Sequence, residues 1–487
     1  MTKTLWRLVY LLLIVYFIFY FVNSLLIIAY PYQISYPEGF LLNQAQMIAQ
    51  GKTIYNAVTN TNYPFLVANY PPLYPYLYGL LVKLFGVAFA WGRIISFLSV
   101  IGCAFLIYLI CKNIPLTLSL SHEGRGTNVA TDKYQQRIGL VSSLLFLASP
   151  YVYKMSTQCR VDMLGLVLSL SGIWLALKYT GKKTVYLSVI FFVAALFTKQ
   201  TFVAAPIALA IYVFLKSRMT GLGLIVFTGL FYTIIFLIIN AITGGELYRH
   251  NVVYNANPFS ILFAAKMFFV FLKTHTVLVV FSVTIIIGFI KNKKSDLFSI
   301  YFFVALLTAI TVGKIGSNIN YFLELIAIGS ILSGFTAYKL QHNRKMELLV
   351  PALFLVQLAL FAHVPFSTAK TPIKKDYKEQ AAISAIINET QGDILSEDAG
   401  MLVLNKEPVL FQPFEFTQLK RQGLWNQDRL VQDIQNEKFA LMILGSDINT
   451  DSYDKERFTP EMIDAMRKSY ALKAIIGDWY IYWPKTD

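Results

Sequence analysis

LYPYLYGLLVKLFGVAF, residues 73–89, is apolar enough to cross a bilayer, and whether it does decides the topology of the whole chain. Counting it as a span would invert everything downstream and place five Lys/Arg-rich loops outside. Short basic loops are retained in the cytoplasm. We therefore read residues 73–89 as a helix lying in the outer interface, its tyrosines at headgroup depth. Residues 258–274 receive the same reading, with Lys266 and Lys273 on the wet side.

The basic clusters that force this choice are Lys3/Arg7, Lys112 with Arg125/Lys133/Arg137, Lys178/Lys182/Lys183, Lys216/Arg218, Lys291/Lys293/Lys294 and Lys339/Arg344/Lys345. Two apolar stretches of spanning length fit between each neighbouring pair. The expected spans are 8–29, 91–111, 138–153, 163–178, 184–198, 202–216, 220–242, 275–290, 296–313, 321–339 and 347–363. The run after Lys3 and Arg7 is long for a cleaved signal and lacks a small-residue cleavage site, so it reads as a retained first span. The N-terminus is then inside and the C-terminus outside. Loop 112–137, with its SLSHEGRGTNVAT, reads as a disordered cytoplasmic insertion.

Composition agrees. Of 487 residues, 56% are hydrophobic and only 14% charged, against about 25% charged in average soluble domains. The net charge of +15 is unevenly divided: residues 1–363 hold 27 basic and 8 acidic residues, residues 364–487 hold 15 and 19. Cytoplasmic loop charge explains the excess without a nucleic acid. Cys103, Cys111 and Cys159 match no disulfide or metal spacing, and His250 has no second histidine at ligand spacing. No cofactor is implied, and a divalent metal has no support in the sequence.

The expected fold is thus a polytopic α-helical membrane protein of about eleven spans, residues 1–363, followed by an extracytoplasmic α/β domain, residues 364–487. In that domain DILSED (393–398), ALMILG (440–445) and IIGDWYIYWP (475–484) read as strands. RFTPEMIDAMRKSY starts a helix, with Thr459 as N-cap and Pro460 first inside. The aromatic EPVLFQPFEFTQLKRQGLW (407–425) is either domain core or a cover for an outer cavity, core being favoured.

Acids at membrane depth are expensive, so their positions are informative. Glu123, Asp132, Asp296 and Glu347 fall in cytoplasmic loops, whereas Glu38, Asp162, Glu246 and Glu324 all fall on the outer side. Arg160, Lys199, Arg249 and Lys314 share that side. Carboxylates and cations converging on one face suit a site for an anionic, lipid-anchored substrate. Glu38 in YPEGF either complements the dipole of a helix opened by Pro37 or acts as a general base. Asp162 in CRVDM either pairs structurally with Arg160 or belongs to the site. Lys199 in FTKQT either snorkels or meets a phosphate. Glu324 in GKIGSNINYFLE needs a partner, and a cation such as Lys314 fits. Tyr70 and Tyr74, in NYPPLYPYLYG, either form an interfacial belt or stack on sugar rings, and Asn320 adds an amide nearby.

Through these residues the chain resembles the GT-C superfamily of membrane glycosyltransferases, near the protein O-mannosyltransferases and aminoarabinose lipid A transferases. The resemblance covers most of residues 1–363. Its carriers are YPEGF, YPPLYPYLYGLLVKLFG followed by WGRIISFLS, RVDM, KQT and GSNINYFLE, in that order. It implies an inverting transfer of a hexosyl or pentosyl group from a polyprenyl-phosphate carrier to a lipid, glycan or protein acceptor at the outer face. It also implies Glu38 as base or acceptor-positioning residue and Asp162 as the second acidic position. Lys199, Arg160 and Lys314 are then candidates for the carrier phosphate, and Tyr70, Tyr74, Asn320 and Glu324 for acceptor or sugar contacts. Relatives carry Asp at the first position, often as an Asp-Glu pair, whereas here Glu38 is followed by Gly39. A multi-pass protein of a bacterial plasma membrane is expected. The rival reading, a lipid or solute transporter, calls for inverted halves and midplane helix breaks, and no half-to-half similarity is evident.

Overall fold

The structure, a computed structural model, describes residues 2–113, 128–178, 182–292, 296–341, 346–362, 371–451 and 453–485. The core of the expected insertion at 112–137, parts of three basic loops and the expected domain boundary at 363/364 lie outside the described residues. The chain forms two compact units: residues 1–27, 94–236 and 258–370, and residues 28–93, 237–257 and 371–487.

The first unit is helical. Thr2–Ala29, Phe89–Lys112, Arg218–Ile242, Ile261–Lys291 and Ile319–Leu340 are each long and apolar enough to cross a membrane. Gln135–Ala148 and Pro150–Ser156 form a sixth candidate, bent by 67°. The bend follows from the sequence: Ser149 is extended and Pro150 opens the second segment, its missing N–H removing a helical bond. Shorter apolar helices at Lys183–Thr198, Ala204–Lys216, Leu297–Gly313 and Leu349–Ala362, with Asp162–Lys178, occupy the remaining expected spans. Arg218–Ile242 leaves Leu222, Ile225, Leu230, Ile234 and Ile238 exposed. A helix apolar on all sides and uncovered by protein is suited to hydrocarbon.

One expected boundary is visible as a break in a helix. The expected helix at 258–274 and the expected span from 275 meet at a kink: the helical residues Ile261–Lys291 divide at His275, whose dihedrals are non-helical. Gln357 repairs the break, its Oε1 accepting from Leu278 N at 3.0 Å and its Nε2 donating to Thr274 O at 2.8 Å. That amide replaces the backbone bond the kink opens.

The second unit holds a four-stranded sheet in the order β1-β2-β4-β3, with β1 Asp393–Ser396, β2 Phe439–Leu444, β3 Tyr470–Ile476 and β4 Trp479–Pro484. β1 and β2 are parallel, and β4 is antiparallel to both β2 and β3. The expected single strand 475–484 is therefore a hairpin. Gly477, with φ 60°, and Asp478 form its two-residue turn, which needs the left-handed region that glycine enters freely. The helix Pro460–Ser469 is capped as expected, Thr459 accepting from Met462 N at 3.2 Å.

The core of this unit takes Phe411, Phe416, Leu419 and Trp425 from the aromatic segment, settling that segment as core. It also takes Phe65 and Val67 from the long loop after the first helix. Phe65 N donates to Leu410 O, and Gln412 N to Phe65 O, at 2.7 and 3.0 Å. Residues 28–93 thus belong with the C-terminal domain rather than with the helices that flank them in sequence. Within them, helix Leu73–Phe85 packs on helix Tyr36–Ala49, where Gly79 meets Ile48 and Ala45.

Candidate functional site

In the helical unit, three turns converge on Asp162. The carboxylate opens helix Asp162–Lys178 and is fully buried. The turn before it is clamped to helix Phe89–Asn113, since Ser96 Oγ donates to Arg160 O and accepts from Arg160 N. Arg160 folds back, its Nε 3.3 Å from Asp162 Oδ2. Lys199 stands in the tight turn after helix Lys182–Thr198 and reaches Asp162 Oδ1 at 2.7 Å. Asn320, on the 3₁₀ turn Ile319–Phe322, donates to the same oxygen at 2.8 Å. The pair expected of Arg160 and Asp162 is present, and Lys199 joins it.

Two further lysines lie close to this cluster. Lys199 also lies over the ring of Tyr321, 4.7 Å from its centroid. Lys314, in the turn at 314–318, is near enough to Lys199 that burial and this neighbouring charge lower its ammonium to about 8. Lys154, on helix Pro150–Ser156, is close enough to Arg160 for the two charges to repel. Arg160 and Lys199 are buried, Lys314 and Lys154 are half-buried, and Glu324 adds a second carboxylate within electrostatic reach of Lys199. Asn320 Oδ1 adds an acceptor that is buried with no hydrogen-bond partner.

Glu324 was expected to meet a cation such as Lys314; the cation within its electrostatic reach is Lys199, and the hydroxyl of Tyr301 donates to its Oε1 at 2.8 Å. Tyr301, a tyrosine inside an apolar helix, is a partner the sequence reading missed.

The other expected site residues belong to the second unit. Glu38 sits in the first turn of helix Tyr36–Ala49, as Pro37 suggested. It is fully buried, and both oxygens are taken. Arg93 Nε and Nη2 grip Oε1 and Oε2 at 3.1 and 2.9 Å, and Ile34 N donates to Oε2 at 2.9 Å. Arg93 also donates to the carbonyls of Tyr30 and Tyr32. This guanidinium, too, went unremarked in the sequence, although an arginine opening an apolar span demands a partner. Position 39 explains the departure from the Asp-Glu pattern: a Cβ on Gly39 would lie 2.4 Å from Gly400 N. No second acid fits there.

Tyr74 is fully buried with its hydroxyl on Gly92 O at 3.0 Å, so its ring serves packing. Tyr70 accepts at its carbonyl from the Tyr55 hydroxyl at 2.8 Å. The same loop is strapped by His250, whose Nδ1 accepts from Ala68 N at 2.9 Å and whose Nε2 lies 2.8 Å from Asn56 O. Burial lowers this imidazole to about 4, keeping it neutral. Glu397 is buried against Arg457, which also stacks over Tyr36. Asp398 caps helix Ala399–Leu404, and burial raises its carboxyl to about 7. Among the described residues, no group of three His, Cys, Asp or Glu gathers at metal-binding distance.

No protein-family model and no characterised protein sequence matches the chain. Solved structures do. ArnT from Cupriavidus metallidurans bound to undecaprenyl phosphate superposes with a TM-score of 0.58 at 13% identity, covering 98% of each chain. The same protein in the apo state gives 0.59 at 12% identity, over 96% of this chain and 97% of that one. The chain therefore has the fold of that protein, end to end, in agreement with the resemblance carried by YPEGF, RVDM and GSNINYFLE.

Proposed function

We propose that this protein is an inverting membrane glycosyltransferase that moves a sugar from a polyprenyl-phosphate carrier to an acceptor hydroxyl at the outer face of a bacterial plasma membrane. In this reading the chain crosses the bilayer eleven times, with the sheet-bearing unit outside. The observation that carries the proposal is the gathering of Arg160, Lys199, Lys314 and Asn320 about Asp162, in a fold shared with a protein solved with undecaprenyl phosphate bound. A carrier phosphodiester is an anion that three such cations would attract.

The acceptor oxygen attacks the anomeric carbon as the bond from that carbon to the phosphate oxygen breaks. The sugar leaves with its configuration inverted, and the hydroxyl proton balances on the released polyprenyl phosphate. Charge grows on the departing phosphate. Lys199, Arg160 and Lys314 stabilise it, and their fixed positions make them more effective than water. Asp162 holds Lys199 and Arg160 in place, and Asn320 Oδ1 is open to a sugar hydroxyl. Glu38, with both oxygens engaged by Arg93 and Ile34, is assigned to positioning residues 30–50 rather than to proton transfer.

The test is transfer of labelled sugar from a panel of polyprenyl-phosphate sugars by purified full-length protein, with Lys199→Gln and Asp162→Asn alongside. Transfer by the wild type, reduced about 10²-fold or more in both variants at retained folding, is the expected result. Carrier binding without transfer from any donor would favour transport instead.

A further inference from the structure

A cavity of about 140 Å³ lies within the sheet-bearing unit, between helix Tyr36–Ala49 and the loop 54–68. Fifteen residues line it, and none carries a charge. Five are Asn or Gln, and Phe40 and Tyr63 supply aromatic surface. A site for phosphate, a carboxylate or an ammonium group would hold at least one opposite charge.

The amides on the helix side are under-used. Gln44 is 9% exposed, and its Oε1 is buried with no hydrogen-bond partner. Asn43, 8% exposed, directs its Nδ2 at Met47 Sδ, 3.8 Å away, a weak acceptor for a good donor. The loop side is fixed by contrast. Gln412 Oε1 accepts from Val67 N at 2.9 Å, and Tyr63 packs on Phe65 at 4.5 Å and donates to Asp433. A rigid wall facing unsatisfied amides is a preorganised site, because an unpaired buried acceptor persists only at a cost to the fold. At about 30 Å³ per molecule the space would take four or five waters. It is below the roughly 300 Å³ at which drug-sized sites begin, so one ring fits and two do not.

We propose that this cavity is a subsite for a single uncharged sugar residue of the acceptor. Hydroxyls donate to Gln44 Oε1 and accept from Asn43 Nδ2, while the apolar face of the ring lies on Phe40. The acceptor is then a neutral glycan or glycolipid. The sugar chemistry stands on the cavity alone; its assignment to the acceptor rests on the transferase reading.

Saturation-transfer NMR on the full-length protein tests it, using methyl glycosides of glucose, galactose and mannose, with glucosamine and glucuronic acid as charged comparators. Two variants accompany it. Gln44→Leu removes the open acceptor, and Ala57→Phe fills the mouth from an exposed position. The expected result is millimolar binding of a neutral glycoside, about tenfold weaker in Gln44→Leu and absent in Ala57→Phe, with unchanged thermal unfolding. Saturating polyprenyl-phosphate donor leaves that binding in place. Equal binding in both variants, equal binding of charged sugars, no saccharide binding, or displacement by the donor would each overturn the proposal. Because binding is read without turnover, a protein that binds neutral sugars here yet transfers none would sink the transferase reading alone. Transfer with an unchanged acceptor KM in Gln44→Leu would sink this inference alone.

Discussion

Breaking the Glu38–Arg93 pair one partner at a time should cost more than removing both. The two side chains are fully buried, joined by two hydrogen bonds, and neither has water to fall back on. Losing one partner of such a pair leaves an uncompensated buried charge, a cost of about 3–5 kcal/mol. For a unit of about 200 residues, at roughly 2–4 °C per kcal/mol, that is a fall in Tm on the order of 10 °C. Arg93→Met strands the Glu38 carboxylate. Glu38→Gln strands the guanidinium, which keeps the carbonyls of Tyr30 and Tyr32 and so suffers less. In the double variant both charges are gone, and the loss should be smaller than the sum by about 2 kcal/mol or more. Differential unfolding in detergent reads stability, and transfer assays on the folded fraction read rate. A positioning role predicts that rate and stability fall together, and that the double variant recovers part of both. Glu38→Gln with wild-type stability and a 10²–10⁴-fold loss of rate would refute the reasoning and return Glu38 to the role of general base.

Carrier affinity should be full below about pH 8 and fall by up to tenfold per pH unit above it, as the depressed Lys314 ammonium loses its proton before its phosphate partner can hold it. A pH titration of carrier binding by Lys314→Met should lack that inflection. Asp398 works in the opposite sense from an ordinary salt-bridged acid. Its folded value of about 7, raised from 3.8 by burial, means that the native state binds the proton more tightly. The resulting stability is therefore present at low pH and lost as pH rises through about 7. Asp398→Asn, which keeps an N-cap for Met401 N, should raise Tm at pH 8 and flatten this slope in melts between pH 4 and 8. Gly39→Ala should destabilise the sheet-bearing unit by several kcal/mol, since its Cβ would meet Gly400 N at 2.4 Å; a melt within 2 °C of wild type, or under about 1 kcal/mol, would show that the two segments can part.

What the sequence made legible was set by range. The helix at Pro460 was readable to the residue because Thr459, Pro460 and Glu461 are local signals whose geometry closes within one turn. The apolar helices were readable because hydropathy averages over twenty residues and tolerates errors at the ends. The hairpin at Gly477 was missed although its Gly-Asp signal is equally local, because the flanking run is apolar enough to read as one continuous strand. What the sequence did not show in Ile261–Lys291 was the partner at its break. Its kink at His275 is held by Gln357, 79 residues from Leu278, and no pattern near 275 announces that amide.

The same division separates the two carboxylates singled out from the start. Around Asp162 the expectation of a cation pair succeeded because Arg160 is two residues away, and Lys199 was visible as a lysine stranded between two short spans. Glu38 was visible only as an acid in a first turn, and its partner Arg93 lies 55 residues on, at the mouth of an apolar helix. Seen singly, each is an expensive charge near a membrane. Seen together, each accounts for the other, and the acid that looked freest in sequence is the one least available for chemistry. Asp162 is also buried and also paired, but two cations and an amide from three separate turns share it. The useful distinction is therefore the number of partners: a one-to-one buried pair holds a loop in place, whereas an acid that orients two cations and an amide at once is the better candidate for a binding site.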